Sequence, residues 1–516
     1  MMDQPATPEN ARIIDNLREQ ILGGAFWVAA SQVLVQGIRF VGLLFLVRVL
    51  LPEDFGLVAM CTVVTGVTAI FIEMGLPNAL IQARELSAVQ RSSASWVCFG
   101  LAAVMSGIVI LTAPLLSSLF KEPRVAALLQ VFSLGFIINA LAVVPDAVLR
   151  RDIRFKEVGA ADAARAVCYI GAAVPLALGG FGAWSLVGGE LTGAVARLVA
   201  LTWLSRQRPF GRFSADSMKP LLSFGIKNAA SSLCHSARLQ ADTFIVGRAL
   251  GVGLLGGYDI IKKIITAPQQ RVSWVLMKVC FPGFSRIQDD DERLRGAYLK
   301  VVSITAFITF PLLAYVMANT APVVSVLFGA KWLFIVGPLR VFCAAGAIIS
   351  IVTFTGVVIL AKGRPGLELK LSAFSLAVLI LSVVISVRYG FLGVSIGFVT
   401  YLIVTGAAAQ YFANKVIALP VHKFIGAIVP GLVAAAAVSA GVLLSARAVP
   451  ERYGDFVSVS FSVVTALIIY GGLVWTLRRE DIRAAVAYWR ENVKPKLTRI
   501  TLPGVDPSSP VGRKSN

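Results

Sequence analysis

The sequence predicts an all-α polytopic membrane protein of about fourteen transmembrane helices, and three observations carry that expectation. Hydrophobic residues fill 57% of the 516 positions and charged residues 15%, with a mean hydropathy of +0.79, a balance far from that of soluble domains. Apolar runs of roughly twenty or more residues recur along the whole chain, and that is the length a helix needs to cross a hydrocarbon core of about 30 Å. The runs are continuous and rich in Leu, Val, Ala and Gly. A β-barrel would instead show segments of about ten residues alternating at period two.

The spans are expected at 24–50, 55–83, 92–119, 125–149, 158–179, 182–205, 221–248, 254–284, 297–318, 333–361, 367–387, 391–413, 424–445 and 456–477. Loops between them stay within about fifteen residues, which leaves no room for a sizeable extramembrane domain. The first apolar run is too long for a signal-peptide core and is expected to remain as a span. The resulting organisation is a polar tail 1–22, a first lobe 23–205 of six spans, a second lobe 206–413 of six more, two appended spans within 414–477, and a basic tail 478–516. The tail opens with a charged amphipathic stretch, Arg478 to Arg490, that reads as an interfacial helix followed by disorder.

A net charge of +20 raises the question of nucleic acid, and the location of the charge answers it. Loops 84–91, 150–157, 206–219, 285–296, 362–366 and 414–423 carry seventeen Lys and Arg, whereas the alternate set carries six: Lys121, Arg124, Lys331, Arg388, Arg447 and Arg452. Basic residues concentrated in alternate short loops mark the cytoplasmic side, so both termini are expected there and no nucleic-acid partner is expected. The six cysteines are scattered singly through apolar segments without CxxC spacing, so no disulfide framework or zinc site is expected.

At an offset of 200 residues the first span aligns with the seventh: residues 29–31 match 229–231, Arg48 matches Arg248, Leu50 matches Leu250 and Gly56 matches Gly256. Six spans separate the copies, and an even number gives both the same orientation. The expectation is two parallel lobes related by an axis along the membrane normal.

Enzyme chemistry is poorly supplied, with two histidines, no Walker A loop and no metal-ligand cluster. Asp289-Asp290-Asp291 has the spacing of a nucleotide-sugar DxD motif, but it sits among Arg286, Glu292, Arg293 and Arg295 and reads as a solvated charged loop. The informative residues are ionisable groups inside apolar runs. Each costs about 2.5–3.5 kcal/mol at the bilayer centre even on the mild insertion scale, so they face a bundle interior or a wet cavity. Span 1 places Gln32, Gln36 and Arg39 on one helical face, span 7 places Ser231, His235, Arg238 and Asp242 on another, and span 8 does the same with Asp259, Lys263 and Thr266. A shared hydrated cavity solvates all three stripes. Its cations, Arg39, Arg48, Arg238, Arg248, Lys262, Lys263 and Arg271, outnumber Glu73, Asp242 and Asp259, which suits an anionic cargo such as a diphosphate. The competing reading is internal ion pairing: Arg238 with Asp242, Asp259 with Lys262 or Lys263, Asp162 with Arg165. Pro175, Pro268, Pro282 and Pro311 interrupt spans as hinges or as ordinary kinks.

Five stretches carry a family resemblance: Arg48-Val-Leu-Leu-Pro-Glu-Asp-Phe-Gly-Leu, Gly75-Leu-Pro-Asn-Ala-Leu-Ile-Gln, Leu149-Arg-Arg-Asp-Ile-Arg-Phe-Lys, Ala241-Asp-Thr-Phe-Ile-Val-Gly-Arg-Ala-Leu-Gly and Phe281-Pro-Gly-Phe-Ser-Arg-Ile-Gln-Asp-Asp. Together they resemble the Wzx-type polysaccharide exporters of the MOP flippase superfamily, in the colanic-acid and teichuronic-acid exporter-like branch. The resemblance implies a central cavity lined by spans 1, 2, 7 and 8 in a multi-pass bacterial inner-membrane protein. It implies transport of undecaprenyl-diphosphate-linked oligosaccharide repeat units by alternating access, without catalysis. The implied partners are the lipid-linked oligosaccharide, membrane lipids, a polysaccharide polymerase and a chain-length regulator. No cofactor is expected. H+ or Na+ coupling stays open, with Gln32, Gln36, Glu73, His235, Asp242 and Asp259 as candidate polar or coupling residues and the cavity cations as candidate substrate ligands. Arginines that hold the lipid diphosphate in the related peptidoglycan-precursor flippase carry over loosely to Arg39, Arg48, Arg238 and Arg248. The alternatives are a multidrug antiporter of the same superfamily, which would favour twelve spans and an acidic cavity, and a membrane-embedded polysaccharide polymerase or ligase, which would need a large periplasmic loop.

Overall fold

In a computed structural model, the described residues are 34–83, 86–206, 210–216, 218, 236, 238–448, 454–479 and 483. They are helical almost throughout. The helices are α1 (34–49), α2 (Pro52–Glu73), α3 (Leu76–Gln82), α4 (Ala88–Phe120), α5 (Arg124–Arg151), α6 (Phe155–Leu178), α7 (Ala183–Ser205), α8 (238–250), α9 (Val252–Arg286), α10 (Asp291–Ala318), α11 (Thr320–Phe328), α12 (Val336–Ala361), α13 (Pro365–Ser386), α14 (Gly390–Val416), α15 (Val421–Ala448) and α16 (Gly454–Leu477). Each of the fourteen expected spans meets one of these helices, or, for the second, the α2–α3 pair. Ten stretches among the described residues are long and apolar enough to cross a membrane, and one of them, Pro365–Val416, holds both α13 and α14. The tail beyond residue 483, and with it the rest of the expected interfacial helix, lies outside the described residues.

Local chemistry sets the helix ends. Ser87 and Gln90 form a capping box at α4, the Ser87 hydroxyl accepting from the Gln90 N–H at 3.1 Å and the Gln90 side chain accepting from the Ser87 N–H at 2.9 Å. Asp290 caps α10 by accepting from the Arg293 N–H at 3.0 Å, and Asp291 pairs with Lys362 at 2.7 Å. Two of the three DxD positions are thus a helix cap and an inter-loop ion pair. The second span departs from expectation because it is broken: Met74 (φ 42°) and Gly75 (φ 67°) both turn left-handed between α2 and α3. A left-handed non-glycine residue is strained, and a broken span is tolerated only where protein or water satisfies its backbone. Between spans 9 and 10 the chain forms α11 and a 3-10 turn, Ala330–Ile335, where a simple loop was expected. Pro175 and Pro311 lie inside the continuous helices α6 and α10.

The helices pack in two groups. α1, which meets Ile170 of α6 at Gly42, belongs with α2 and α4 to α7, which pack among themselves, as do α9 to α14 with the turn Ala330–Ile335; α15 and α16 lie against this second group, on α10 and on α11. Lipid offers no hydrophobic drive between helices, so close packing at small residues holds them. At the α6–α7 crossing, a Cβ on Gly189 would lie 3.0 Å from the Tyr169 carbonyl oxygen and one on Gly193 would lie 2.9 Å from that of Arg165. Gly193→Leu is therefore expected to lower stability by about 1–3 kcal/mol or more, read as a fall in the thermal midpoint in detergent. An unchanged midpoint would show that this crossing opens freely.

The two groups meet where α2 crosses α9. A Cβ on Gly56 would stand 1.9 Å from the Val252 carbonyl oxygen, and one on Gly256 would stand 1.8 Å from that of Pro52. In the 200-residue frame this contact is reciprocal, with 56 against 252 and 256 against 52. Such mutual pairing is what a two-fold axis produces at its own interface. Only glycine permits the backbones to approach so closely.

Candidate functional site

The polar groups of spans 1, 2, 7 and 8 divide between two faces of the molecule: the face bearing the basic loops and the face opposite. On the opposite face, α1 ends against the turn that follows α11. Arg48 donates through Nε to the Leu327 carbonyl at 3.2 Å and through a terminal nitrogen to that of Val326. Lys331 Nζ donates to the carbonyls of Arg48 at 2.8 Å and Leu50 at 2.5 Å, and Trp332 Nε1 donates to that of Val47 at 2.9 Å. Trp332 is fully buried, with Phe55 edge-on to it at 5.6 Å. This amends the reading of Arg48 as a cavity cation, because its guanidinium is engaged by carbonyls that a helix end leaves without intrahelical partners.

Deeper, α8 and α9 share a buried ion pair. Asp242, 2% exposed, accepts from Lys262 Nζ at 2.7 Å, Tyr258 OH at 2.6 Å and the Thr243 N–H at 2.8 Å. The Lys262 ammonium also lies 5.4 Å from the Tyr258 ring centroid. The Arg238–Asp242 pair of the competing reading gives way to this one, since an α9 lysine and tyrosine reach the carboxylate across the helix interface. Asp259 pairs with Lys263 at 2.5 Å, one of the two partners the spacing allowed. Lys262 and Lys263 thus neutralise carboxylates and do not add free positive charge.

Toward the basic-loop face the groups are more open. Arg39 is exposed on α1. Gln36 is half-buried one turn before it, and Glu73 is exposed at the break in span 2, within the field of Asp146 and Arg197. Arg238, half-buried, acts on Glu368 in the first turn of α13. Ser236 donates to the Gly66 carbonyl at 3.2 Å, joining α2 to the start of α8. Arg248 is exposed on the opposite face, two residues before the end of α8. Gln32, Ser231 and His235 lie outside the described residues, as does the side chain of Arg271.

Sequence reasoning missed a charged network inside the first group. Arg197 of α7, with 15% of its side chain exposed, bonds Asp146 of α5 at 3.0 Å and Asp162 of α6 at 2.9 Å. Arg150 also reaches Asp146, at 2.8 Å, and Arg165 pairs with Glu190. The competing reading paired Asp162 with Arg165 at i, i+3; the tight α6–α7 crossing offers each a partner on the neighbouring helix instead. The available signal was the one applied to spans 1, 7 and 8, ionisable residues within apolar runs, and spans 4 to 6 carry it equally. Among the described residues no group of His, Cys, Asp and Glu could hold a metal ion.

A family model described as polysaccharide biosynthesis protein matches residues 45–337. The lipopolysaccharide biosynthesis protein WzxC of Escherichia coli is 28% identical over 409 residues, covering 78% of this chain and 82% of the relative. The succinoglycan biosynthesis transport protein ExoT of Rhizobium meliloti is 30% identical over 313 residues, covering 59% of this chain and 62% of the relative. Among solved structures, lipid II flippase MurJ in an inward closed conformation superposes with a TM-score of 0.70 at 14% identity, over 87% of this chain and 99% of that one. An inward-facing MATE-family multidrug resistance transporter of the MOP superfamily superposes at 0.60 and 20% identity, over 74% and 94%. At those identities the two structures share the fold alone.

Proposed function

This chain belongs to the polysaccharide biosynthesis protein family, and from that premise we propose that it is a Wzx-type flippase carrying undecaprenyl-diphosphate-linked oligosaccharide from one leaflet to the other by alternating access. It is a multi-pass membrane transporter and not an enzyme. The observation that carries the reading is the reach of the family match: residues 45–337 contain the α2–α9 crossing, the buried Asp242 pair and the capped end of α1. The matched region thus contains the junction of the two groups, where alternating access needs its moving parts.

Arg39, exposed on α1, and Arg238, half-buried on α8, both lie toward the basic-loop face and are the cations we assign to the diphosphate. A planar guanidinium matches two phosphate oxygens at once, which an ammonium does not. The protein is assigned to the bacterial inner membrane with both termini cytoplasmic, on the count of basic loops. The polyprenyl chain stays in lipid throughout, and a polymerase with its chain-length regulator takes the delivered unit. Relatives named for lipopolysaccharide and succinoglycan biosynthesis favour this cargo over the drugs carried by fold neighbours.

Deletion of the gene is expected to abolish one extracellular polysaccharide while lipid-linked repeat units accumulate, measured by mass spectrometry of extracted lipids. Loss of the lipid-linked unit itself would place the protein in synthesis and overturn the reading.

A further inference from the structure

We propose that the face opposite the basic loops is held shut by a reciprocal exchange of helix C-caps between the two groups, and that release of this exchange is the step that opens it. The last turn of α1 leaves carbonyls without intrahelical partners; those of Val47 and Arg48, and that of Leu50 just past the helix, are taken by Trp332 and Lys331 of the second group. The last turn of α11 has the same need, and its Val326 and Leu327 carbonyls are taken by Arg48 of the first group. Each group thus lends a cation to the negative end of the other's helix, where the helix dipole favours positive charge.

Three features make this a latch and not ordinary packing. Arg48 is exposed, so water replaces the lost bonds on both partners when the faces part, and opening leaves no stranded charge. The exchange lies beside the glycine crossing of α2 and α9, so the two separate together or not at all. It is also confined to one of the two arginines related by the 200-residue frame. Positions 126–132, the frame's counterpart of 326–332, lie in the first half of α5, and that stretch presents no helix C-terminus with open carbonyls. Arg248 accordingly makes no comparable bond among the described residues. The segment α11 and the turn Ala330–Ile335, missed in the sequence, supply the receptor for Arg48.

The inference rests on alternating access, but its test needs no cargo. Val47 is fully buried beneath the latch, whereas Cys343 is buried within α12. In purified Val47→Cys protein, alkylation by a small hydrophilic thiol reagent is read at each residue by mass spectrometry, without and with Arg48→Ala or Lys331→Met. Loss of hydrogen bonds to a charged donor is expected to raise the labelling rate at position 47 roughly ten-fold in either variant, while Cys343 stays protected. Unchanged labelling at position 47 in both variants overturns the proposal. So does a parallel rise at Cys343, which would mean that the caps merely stabilise the fold. If the latch fails this test while the deletion phenotype holds, the flippase reading stands alone; the reverse result keeps the latch and removes the cargo.

Discussion

Replacing Arg197 with Ala is expected to remove most of the folded protein from the membrane. Arg197 is the one group that bonds both Asp146 and Asp162, and the replacement leaves Asp162 without the cation it is bonded to. Asp146 keeps Arg150. Breaking a largely buried ion pair from one side typically costs about 3–5 kcal/mol, a large share of the stability of an ordinary domain. The exposure of Arg197, 15% of its side chain, keeps solvent screening small. Yield and thermal midpoint, followed by fluorescence-detected size exclusion, should fall sharply. Adding Asp146→Asn and Asp162→Asn should restore much of both by removing the stranded charge. An Arg197→Ala protein as stable as its parent would show that the network is solvated and makes little contribution to stability.

Replacing Arg238 with Ala is expected to abolish export while leaving folded, inserted protein, and Lys should restore export only in part. Asp242 is already held by Lys262, Tyr258 and Thr243, so Arg238 is not needed to neutralise it. One carboxylate near it is Glu368 of α13. A hydrogen bond to a charged group is worth about 1.5–3 kcal/mol, roughly ten- to a hundred-fold in affinity for a diphosphate. If Arg238 serves only to balance Glu368, Arg238→Ala combined with Glu368→Gln should recover export. If it holds cargo, the double variant stays inactive. Polysaccharide quantified from complemented deletion strains separates the two.

The spans were legible because length and hydropathy dictate them, and a helix stands at each expected place. The 200-residue frame was legible as well: Gly56 and Gly256 were aligned by sequence and then met at the seam, each against the backbone opposite. Breaks inside spans were harder to read. Met74 gives no warning of a left-handed conformation, and residues 320–335 are apolar enough to hide a half-helix and a turn. Charge partners were the least legible. Arg48 and Lys331 meet across more than 280 positions, and Asp162 pairs with Arg197 because α6 and α7 cross tightly, so i, i+3 and i, i+4 spacing names partners that the packing then replaces. Ionisable residues in apolar runs identified where polar chemistry sits, not which groups are already satisfied by protein.

The central claim, that this chain moves a lipid-linked oligosaccharide between leaflets, is tested most directly with purified protein in proteoliposomes. The lipid-linked repeat unit is loaded in both leaflets, and a membrane-impermeant reagent that oxidises or cleaves sugar is added outside. The account predicts that nearly all of the pool becomes reactive in vesicles containing the protein and only the outer half in empty vesicles, with Arg238→Ala behaving as empty. Protection of the inner half in the presence of folded protein, with a coupling gradient of H+ or Na+ imposed in either direction, would contradict it.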